Sequence, residues 1–242
     1  MQLTYLAFLA VFLVVPLVSL GVATALQTNR HRPPRSVRVG GMAVIVVLAL
    51  AYTTPWDNYL IAEGVWWYGD GRVAARLWLA PAEEYIFIVL QSVLVAAWTF
   101  YLAGPVDGSV SHTWADRIGG GLAGFGVTAL GAVLVVGPQS TFYLGAIVLW
   151  AGPVLALQWA VGWRYLLSVP RRVAAGVAVP VVYLCAIDWF AIRQGVWTIS
   201  ADHTTGLAVA SLPIEEATFF LLTSTFVVQG LVLLRWVIAK WG

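Results

Sequence analysis

Two stretches of this 242-residue chain carry the same acidic signature. The first runs Pro81-Ala82-Glu83-Glu84-Tyr85-Ile86-Phe87, and the second runs Pro213-Ile214-Glu215-Glu216-Ala217-Thr218-Phe219. One such motif reads as a helix start, because proline suits the first helical position and acids in the first turn complement the helix dipole. One acid per helix is enough for that purpose. Two adjacent acids, twice, each opening an apolar segment, point to chemistry. Carboxyls crowded into a medium of low dielectric do not all ionise, so one can keep its proton while a neighbour stays charged. Such a set is an acid and base pair.

The neighbours of the acids repeat as well. Asp57, Gly64, Val65 and Trp66 precede the first motif, and Asp188, Gly195, Val196 and Trp197 precede the second, 131 positions later. The Pro, Glu, Glu and Phe positions are 132 apart, so the second loop is one residue longer. Glu84 shares a helix face with Phe87, Gln91 and Trp98, and Glu216 shares one with Phe219 and Thr223. Glu83 and Glu215 look along Ile, Leu and Phe. Glu84 and Glu216 are therefore the pair expected to face an interior. Asp57 and Asp188, at the same ends of their spans, can join them. Trp56, Trp66, Trp67, Trp78, Trp189 and Trp197 lie beside the acids in sequence; their aromatic faces can stabilise a cation in a dry site, or anchor the membrane interface. Trp114, Trp236 and Trp241 are read as interface anchors only.

The elements that must hold these groups are membrane helices. The chain is 61% hydrophobic and 10% charged, with a mean hydropathy of +0.87. A soluble domain carries roughly 25% charge, so a water-facing surface cannot be covered. A single cysteine, Cys185, excludes a disulfide scaffold, and a net charge of +2 with no basic stripe excludes nucleic-acid binding. Segments of about 20 apolar residues fall at roughly 3–26, 37–55, 81–103, 118–136, 141–162, 172–190 and 213–238. The leader, Met1-Gln2-Leu3-Thr4-Tyr5, has no positive charge, so the first segment is read as a span and not a signal peptide. The spans leave no room for a soluble catalytic domain.

With seven spans, Arg30, Arg32, Arg35, Arg38, Arg117, Arg164, Arg171, Arg172, Arg235 and Lys240 fall on one side, against Arg72, Arg76 and Arg193 on the other. That bias puts the C-terminus in the cytoplasm and the N-terminus outside. The expected fold class is all-α: a polytopic membrane bundle of seven transmembrane helices. It is built from two parallel three-helix repeats (1–112 and 140–242) joined by a linker span (113–139). Three spans plus one is an even number, so both acidic motifs lie at the same depth and on the same side.

Other signals carry less. Gly119-Gly120-Gly121-Leu122-Ala123-Gly124 matches a dinucleotide fingerprint, yet it opens a membrane span and reads as close helix packing. His31, His112 and His203 are scattered, so no metal site is expected. No Asp-Asp-x-x-Asp motif for a diphosphate is present. The only lysine, Lys240, lies at the tail, which excludes a retinal Schiff base.

The doubled motifs, with Pro55-Trp56-Asp57-Asn58-Tyr59 ahead of the first and Leu212 to Thr223 covering the second, resemble the membrane-integral carotenoid (lycopene) cyclases over essentially the whole chain. In that family two homologous halves occur as a bacterial heterodimer, as one archaeal chain, or fused to phytoene synthase in fungi; this sequence is similar to the single-chain archaeal type. The resemblance implies redox-neutral conversion of lycopene to β-carotene through γ-carotene, started by a proton. It implies catalytic roles for Glu83, Glu84, Glu215 and Glu216. Asp57, Asp188, Trp66, Trp197, Phe87, Phe219 and Gln91 are the expected supporting residues. No cofactor is expected, in contrast to the flavin-dependent cyclases. The expected partners are lycopene, the lipid bilayer and other enzymes of the carotenoid pathway. Ala82 and Ile88 depart from the family pattern, which usually has a larger aliphatic and a phenylalanine there. A hydratase acting on the same double bond and a proton-coupled transporter are the alternative readings.

Overall fold

A computed structural model describes residues 3–241; Met1, Gln2 and Gly242 lie outside the described residues. Seven helices are long and apolar enough to cross a membrane: α1 (Tyr5–Leu26), α2 (Arg35–Ala62), α3 (Ala82–Tyr101), α4 (Trp114–Val135), α5 (Gln139–Ser168), α6 (Pro170–Arg193) and α7 (Ile214–Trp241). Their order agrees with the hydropathy reading, but α2 and α6 run further than it placed them. Asp57 and Asp188 therefore stand inside their helices, more than a turn before the end, and not at the helix ends as expected.

The Gly-Val-Trp repeat explains how α2 and α6 stop. Gly64 and Gly195 take φ of +75° and +65°, left-handed values that cost glycine little. The next amides then turn back into the helix: Val65 N–H donates to Leu60 O and Val196 N–H to Ala191 O, both at 3.0 Å. Val65 and Val196 are fully buried by that turn. The tryptophans that follow open two short strands, β1 (Trp66–Tyr68) and β4 (Trp197–Ile199). These pair antiparallel, with Trp67 opposite Thr198, Trp66 opposite Ile199 and Tyr68 opposite Trp197. Trp67 and Thr198 are 131 positions apart, so equivalent residues of the two motifs sit face to face. The ladder lies across one end of the bundle as a lid.

Two hairpins complete that end. In the first, β2 (Arg76–Leu77) pairs with β3 (Ala80–Pro81); in the second, β5 (Ala208–Val209) pairs with β6 (Leu212–Pro213). Asn58 pins the first by accepting from the Leu79 and Ala80 amides at 2.8 and 3.0 Å. Trp189 pins the second by donating to the Ala210 carbonyl at 2.7 Å. Pro81 stands just outside α3 rather than in its first turn. Arg72 ties the lid to both halves, donating to the Leu3 carbonyl at 2.8 Å and to the Gln194 carbonyl at 2.7 Å.

At the opposite end, basic side chains bond carbonyls of the connecting loops. Arg235 reaches His31 and Gly104, Arg172 reaches Pro105 and Lys240 reaches Val110. Trp236, expected as an interface anchor, is fully buried here. It stacks on Tyr165 with ring centroids 5.3 Å apart, because its face of α7 turns toward α5. Trp114 and Trp241 are exposed.

Inside the membrane every freed backbone group needs a protein partner. Pro16 has no N–H for the Phe12 carbonyl, and α1 widens to a π-helical turn over Ala10–Val14. The Tyr183 hydroxyl of α6 donates to that carbonyl at 2.6 Å. Helix α4 is held differently. A Cβ at Gly124 would meet the Ala156 backbone, and one at Gly131 the Leu149 backbone; on α5, one at Gly145 would meet Val135 and one at Gly152 would meet Thr128. Glycine is required at these positions because the two backbones touch, the packing mode of small residues in membrane helices. Helix α4 is thus a rib on α5, mostly exposed.

Gly131→Leu should wedge α4 off α5, at roughly 1–3 kcal/mol for an overpacked contact. Gly126→Leu, where a new Cβ meets nothing, should be neutral. Thermal unfolding of the detergent-solubilised protein checks this: a lower midpoint for the first variant alone is expected.

Candidate active site

Beneath the lid the two halves line a small chamber of about 50 Å³. Four carboxyls line it: Asp57 from α2, Glu84 from α3, Asp188 from α6 and Glu216 from α7. The rest of the wall is aromatic or aliphatic, with Tyr5, Trp56, Trp66, Tyr68, Phe87, Tyr143, Trp197, Ile199, Phe219 and Phe220. Of the six tryptophans near the acids in sequence, Trp56, Trp66 and Trp197 reach the chamber. Trp67 and Trp78 are exposed, and Trp189 carries Arg193 over its ring at 4.5 Å.

The two glutamates of each motif part company. Glu84 and Glu216 face the chamber, whereas Glu83 and Glu215 are buried beside it with relative exposures of 1% and 0% and serve the loops. Glu83 Oε1 accepts from the Ala74 amide at 2.7 Å. Glu215 Oε1 accepts from the Thr205 amide at 2.7 Å and the Thr205 hydroxyl at 2.8 Å. Ala74 and Thr205 are again 131 positions apart. Glu83 and Glu215, expected to be catalytic together with Glu84 and Glu216, thus stand behind the loops and not on the chamber wall. A carboxylate behind the loop supplies the acceptor that a buried amide there needs.

The hydrogen bonds at the four chamber carboxyls are unequal. Glu84 Oε2 accepts from two phenols, Tyr68 at 2.7 Å and Tyr5 at 3.1 Å. Burial, and secondly the charge of Glu84, pushes the Tyr68 phenol well above its ordinary value, so it stays a donor. Trp66 Nε1 donates to the Tyr68 oxygen at 3.0 Å and orients it. In the other half, Asp188 Oδ1 accepts from Trp197 Nε1 at 3.0 Å. Its second oxygen, Oδ2, and Glu216 Oε1 are both buried without a partner. Asp188 and Glu216 are direct neighbours, and Tyr143 lies beside Glu216. One carboxyl set is thus arranged as an acceptor. The other keeps one buried oxygen unbonded on each of Asp188 and Glu216. Glu83 Oε2 and Glu215 Oε2 are unbonded too, but Asp188 and Glu216 are adjacent, and a proton shared between them would satisfy the pair.

Thr4 caps α1 by accepting from the Ala7 amide, which starts the helix at Tyr5. The Tyr5 amide donates to the Arg72 carbonyl at 2.8 Å, and its ring, 1% exposed, stands 5.0 Å from Trp197. Tyr5, Tyr68 and Tyr143 were missed by sequence reasoning, which followed acids and tryptophans. A signal existed for two of them: Thr4-Tyr5-Leu6 and Thr141-Phe142-Tyr143-Leu144 open the first span of each half in the same way. Gln91, expected to support the acids, does not line the chamber. It lies deeper, where its amide donates to the Thr223 hydroxyl at 2.8 Å. These two positions, 132 apart, are themselves equivalent in the repeat. Among the described residues no group of three or more His, Cys, Asp and Glu side chains has the geometry of a metal site.

The family model for lycopene cyclase matches residues 2–102 and 140–233 and passes over α4. A lycopene beta-cyclase of Halobacterium salinarum is 50% identical over 241 residues, covering 100% of both chains. A bifunctional lycopene cyclase/phytoene synthase of Gibberella fujikuroi is 32% identical over 209 residues, which are 84% of this chain and 36% of that protein. One from Phycomyces blakesleeanus is 34% identical over 198 residues, 76% of this chain and 32% of that protein. No solved structure matches this chain. A match over both halves together with full-length identity to a single-chain relative is decisive, and this chain belongs to the lycopene cyclase family.

Proposed function

We propose that this chain is a lycopene beta-cyclase in which the four chamber carboxyls move the protons of ring closure. The observation that carries the reading is the unequal pairing of those carboxyls in one aromatic chamber. A proton adds to C2 of the terminal C1–C2 double bond and leaves a tertiary cation at C1. The C5–C6 double bond supplies its electron pair, so the C1–C6 bond forms and the cation moves to C5. Loss of the C6 proton restores a C5–C6 double bond, now inside a six-membered β-ring. One proton enters and one leaves, so no oxidant or reductant takes part.

The Asp188–Glu216 pair, with two oxygens lacking partners, is arranged to carry the proton that is delivered. Glu84, accepting from two phenols, is arranged as the acceptor, and Asp57 stands beside it. The faces of Trp56, Trp66 and Trp197 offer electron density to the passing cation. Glu83 and Glu215 shape the loops that close the chamber and touch no substrate. The two halves act as equivalent three-helix units, 1–112 and 140–242, related by a local two-fold axis along the membrane normal. Support comes from the face-to-face pairs Trp67 with Thr198 and Gln91 with Thr223. A single chamber on that axis takes the two ends of the substrate in turn. The orientation follows from the basic residues gathered away from the lid: the lid faces outside and the C-terminus the cytoplasm.

Expression in lycopene-accumulating cells should give β-carotene and, with limiting enzyme, γ-carotene. A hydroxylated product would favour a hydratase, and unchanged lycopene would overturn the reading. Glu84→Gln and Glu216→Gln should each lower the initial rate by about 10²–10⁴-fold, the range for losing an acid or base. Glu83→Gln and Glu215→Gln keep an oxygen for the loop amide and should stay within about ten-fold of the parent, on the same scale. Equal loss at all four positions would refute the division of labour. In a Cys185→Ala background, a membrane-impermeant maleimide added to whole cells should label Asp202→Cys and spare Ser109→Cys; the opposite pattern reverses the orientation.

A further inference from the structure

A second cavity adjoins the chamber and has no place in the chemistry described so far. It is a groove of about 380 Å³ between α2, α3, α5 and α7, lined by Leu48, Tyr52, Ile88, Trp150, Leu157 and Phe226 among others. Its wall is overwhelmingly apolar. Several polar side chains along it are turned to protein partners: Gln91 bonds Thr223, the Gln158 amide nitrogen donates to the Phe226 carbonyl at 2.8 Å while its oxygen stays unbonded, and the Tyr52 hydroxyl donates to the Trp150 carbonyl at 2.8 Å. Leu48 and Leu157, on its rim, are 58% and 67% exposed on helices that cross the bilayer, so the groove opens to lipid.

Phe219 belongs to both cavities. Its ring lies parallel to Trp56, at 2° and 5.9 Å between centroids, and Trp56 in turn stacks on Trp150 at 4.9 Å. Trp56 faces the chamber and Trp150 the groove. A stack of flat rings thus stands where the two cavities meet. Rotation of the Phe219 and Trp56 side chains would join the two cavities, with the Trp56 indole giving up its bond to the Ala146 carbonyl at 3.3 Å.

Size demands an outlet of this kind. A chamber of about 50 Å³ has no room for the long conjugated middle of a C40 hydrocarbon when one end sits by the acids. We propose that the groove is the polyene-binding subsite of the cyclase, and that the Trp56–Phe219 pair is the door through which each end group passes from lipid to the acids. This rests on the cyclase reading above. The occupant is an apolar conjugated chain: the wall offers aromatic faces to a flat π-system and no unshared charge.

The test narrows the groove without touching the chamber. Ala49→Trp and Leu48→Trp place bulk at its wall and rim. Val179→Trp puts the same bulk at the position 131 residues after Leu48, on the quasi-equivalent face of α6, 49% exposed. Rates are measured against lycopene concentration with purified protein in lipid, and thermal unfolding confirms that each variant is folded. The expected result is a KM raised at least ten-fold for the groove variants with kcat within about three-fold, and both constants within two-fold for Val179→Trp. If Ala49→Trp does not fold, Leu48→Trp, on the exposed rim, decides. Parental KM values in the groove variants, or a loss confined to kcat, overturns the proposal. Failure of the parent chain to convert lycopene overturns the cyclase reading instead, a different outcome from the first.

Discussion

Everything in this molecule answers to the expense of placing carboxyl groups within a membrane. An ionised carboxylate at the bilayer centre costs several kcal/mol (about 2.5–3.5 on insertion scales) unless it is paired, hydrogen-bonded or near the interface. The structure uses all three remedies. Its acidic motifs open α3 and α7 at one end of the bundle, where the distance to water is shortest. Loop amides bond Glu83 and Glu215. Phenol and indole donors bond Glu84 and Asp188. The β1–β4 ladder then crosses that end, and its residues Trp66, Tyr68, Trp197 and Ile199 wall the acids with largely apolar side chains.

The lid is an economical solution because it needs only three residues per half. Glycine with positive φ halts the helix, valine fills the turn, and tryptophan begins the strand. The same three residues that end α2 and α6 thus bring Trp66 and Trp197 over the acids, and the lid bonds one half to the other. Breaking it would uncover the carboxyls, while the halves would still meet along α3 and α7, where Gln91 bonds Thr223. In the same way Arg72 holds the start of α1, and hence Tyr5, against the loop after α6. Structure and site are one network at this end of the molecule.

Symmetry accounts for the equivalence of the acids, and departures from it for their inequality. Tyr68 has no phenol across the ladder: its equivalent, 131 positions on, is Ile199. Glu84 therefore gains a donor that Glu216 lacks, and Glu216 turns to Asp188 and Tyr143 instead. The acidic motif occurs twice in the sequence, and the difference between Tyr68 and Ile199 in the lid gives the two copies different surroundings. Likewise Trp56 has Ile187 as its counterpart, so the aromatic stack beside the groove is built on one side only.

The sequence by itself determined the seven crossings, the bias of basic residues to one end and the recurrence of the acidic motif, because hydropathy, charge and spacing are local properties that a bilayer reads segment by segment. It also favoured Glu84 and Glu216 over their neighbours, from the Phe, Gln and Thr residues on the same helix face. It did not foresee that Glu83 and Glu215 bond the loops, since adjacent residues lie only about 100° apart and the loop amides that claim them come from residues nine or ten positions earlier in folds of no fixed period. Tyr68, the inward turn of Trp236, and the groove behind Phe219 were decided by tertiary structure alone; Tyr5 and Tyr143 share similar openings of the first span in each half, but only the fold puts them beside the acids. Each depends on which helix lies against which, and that is settled by close contacts such as the glycine seam of α4 and α5 or the Tyr183 hydroxyl on the Phe12 carbonyl, contacts between residues far apart in the chain whose meeting no local pattern encodes.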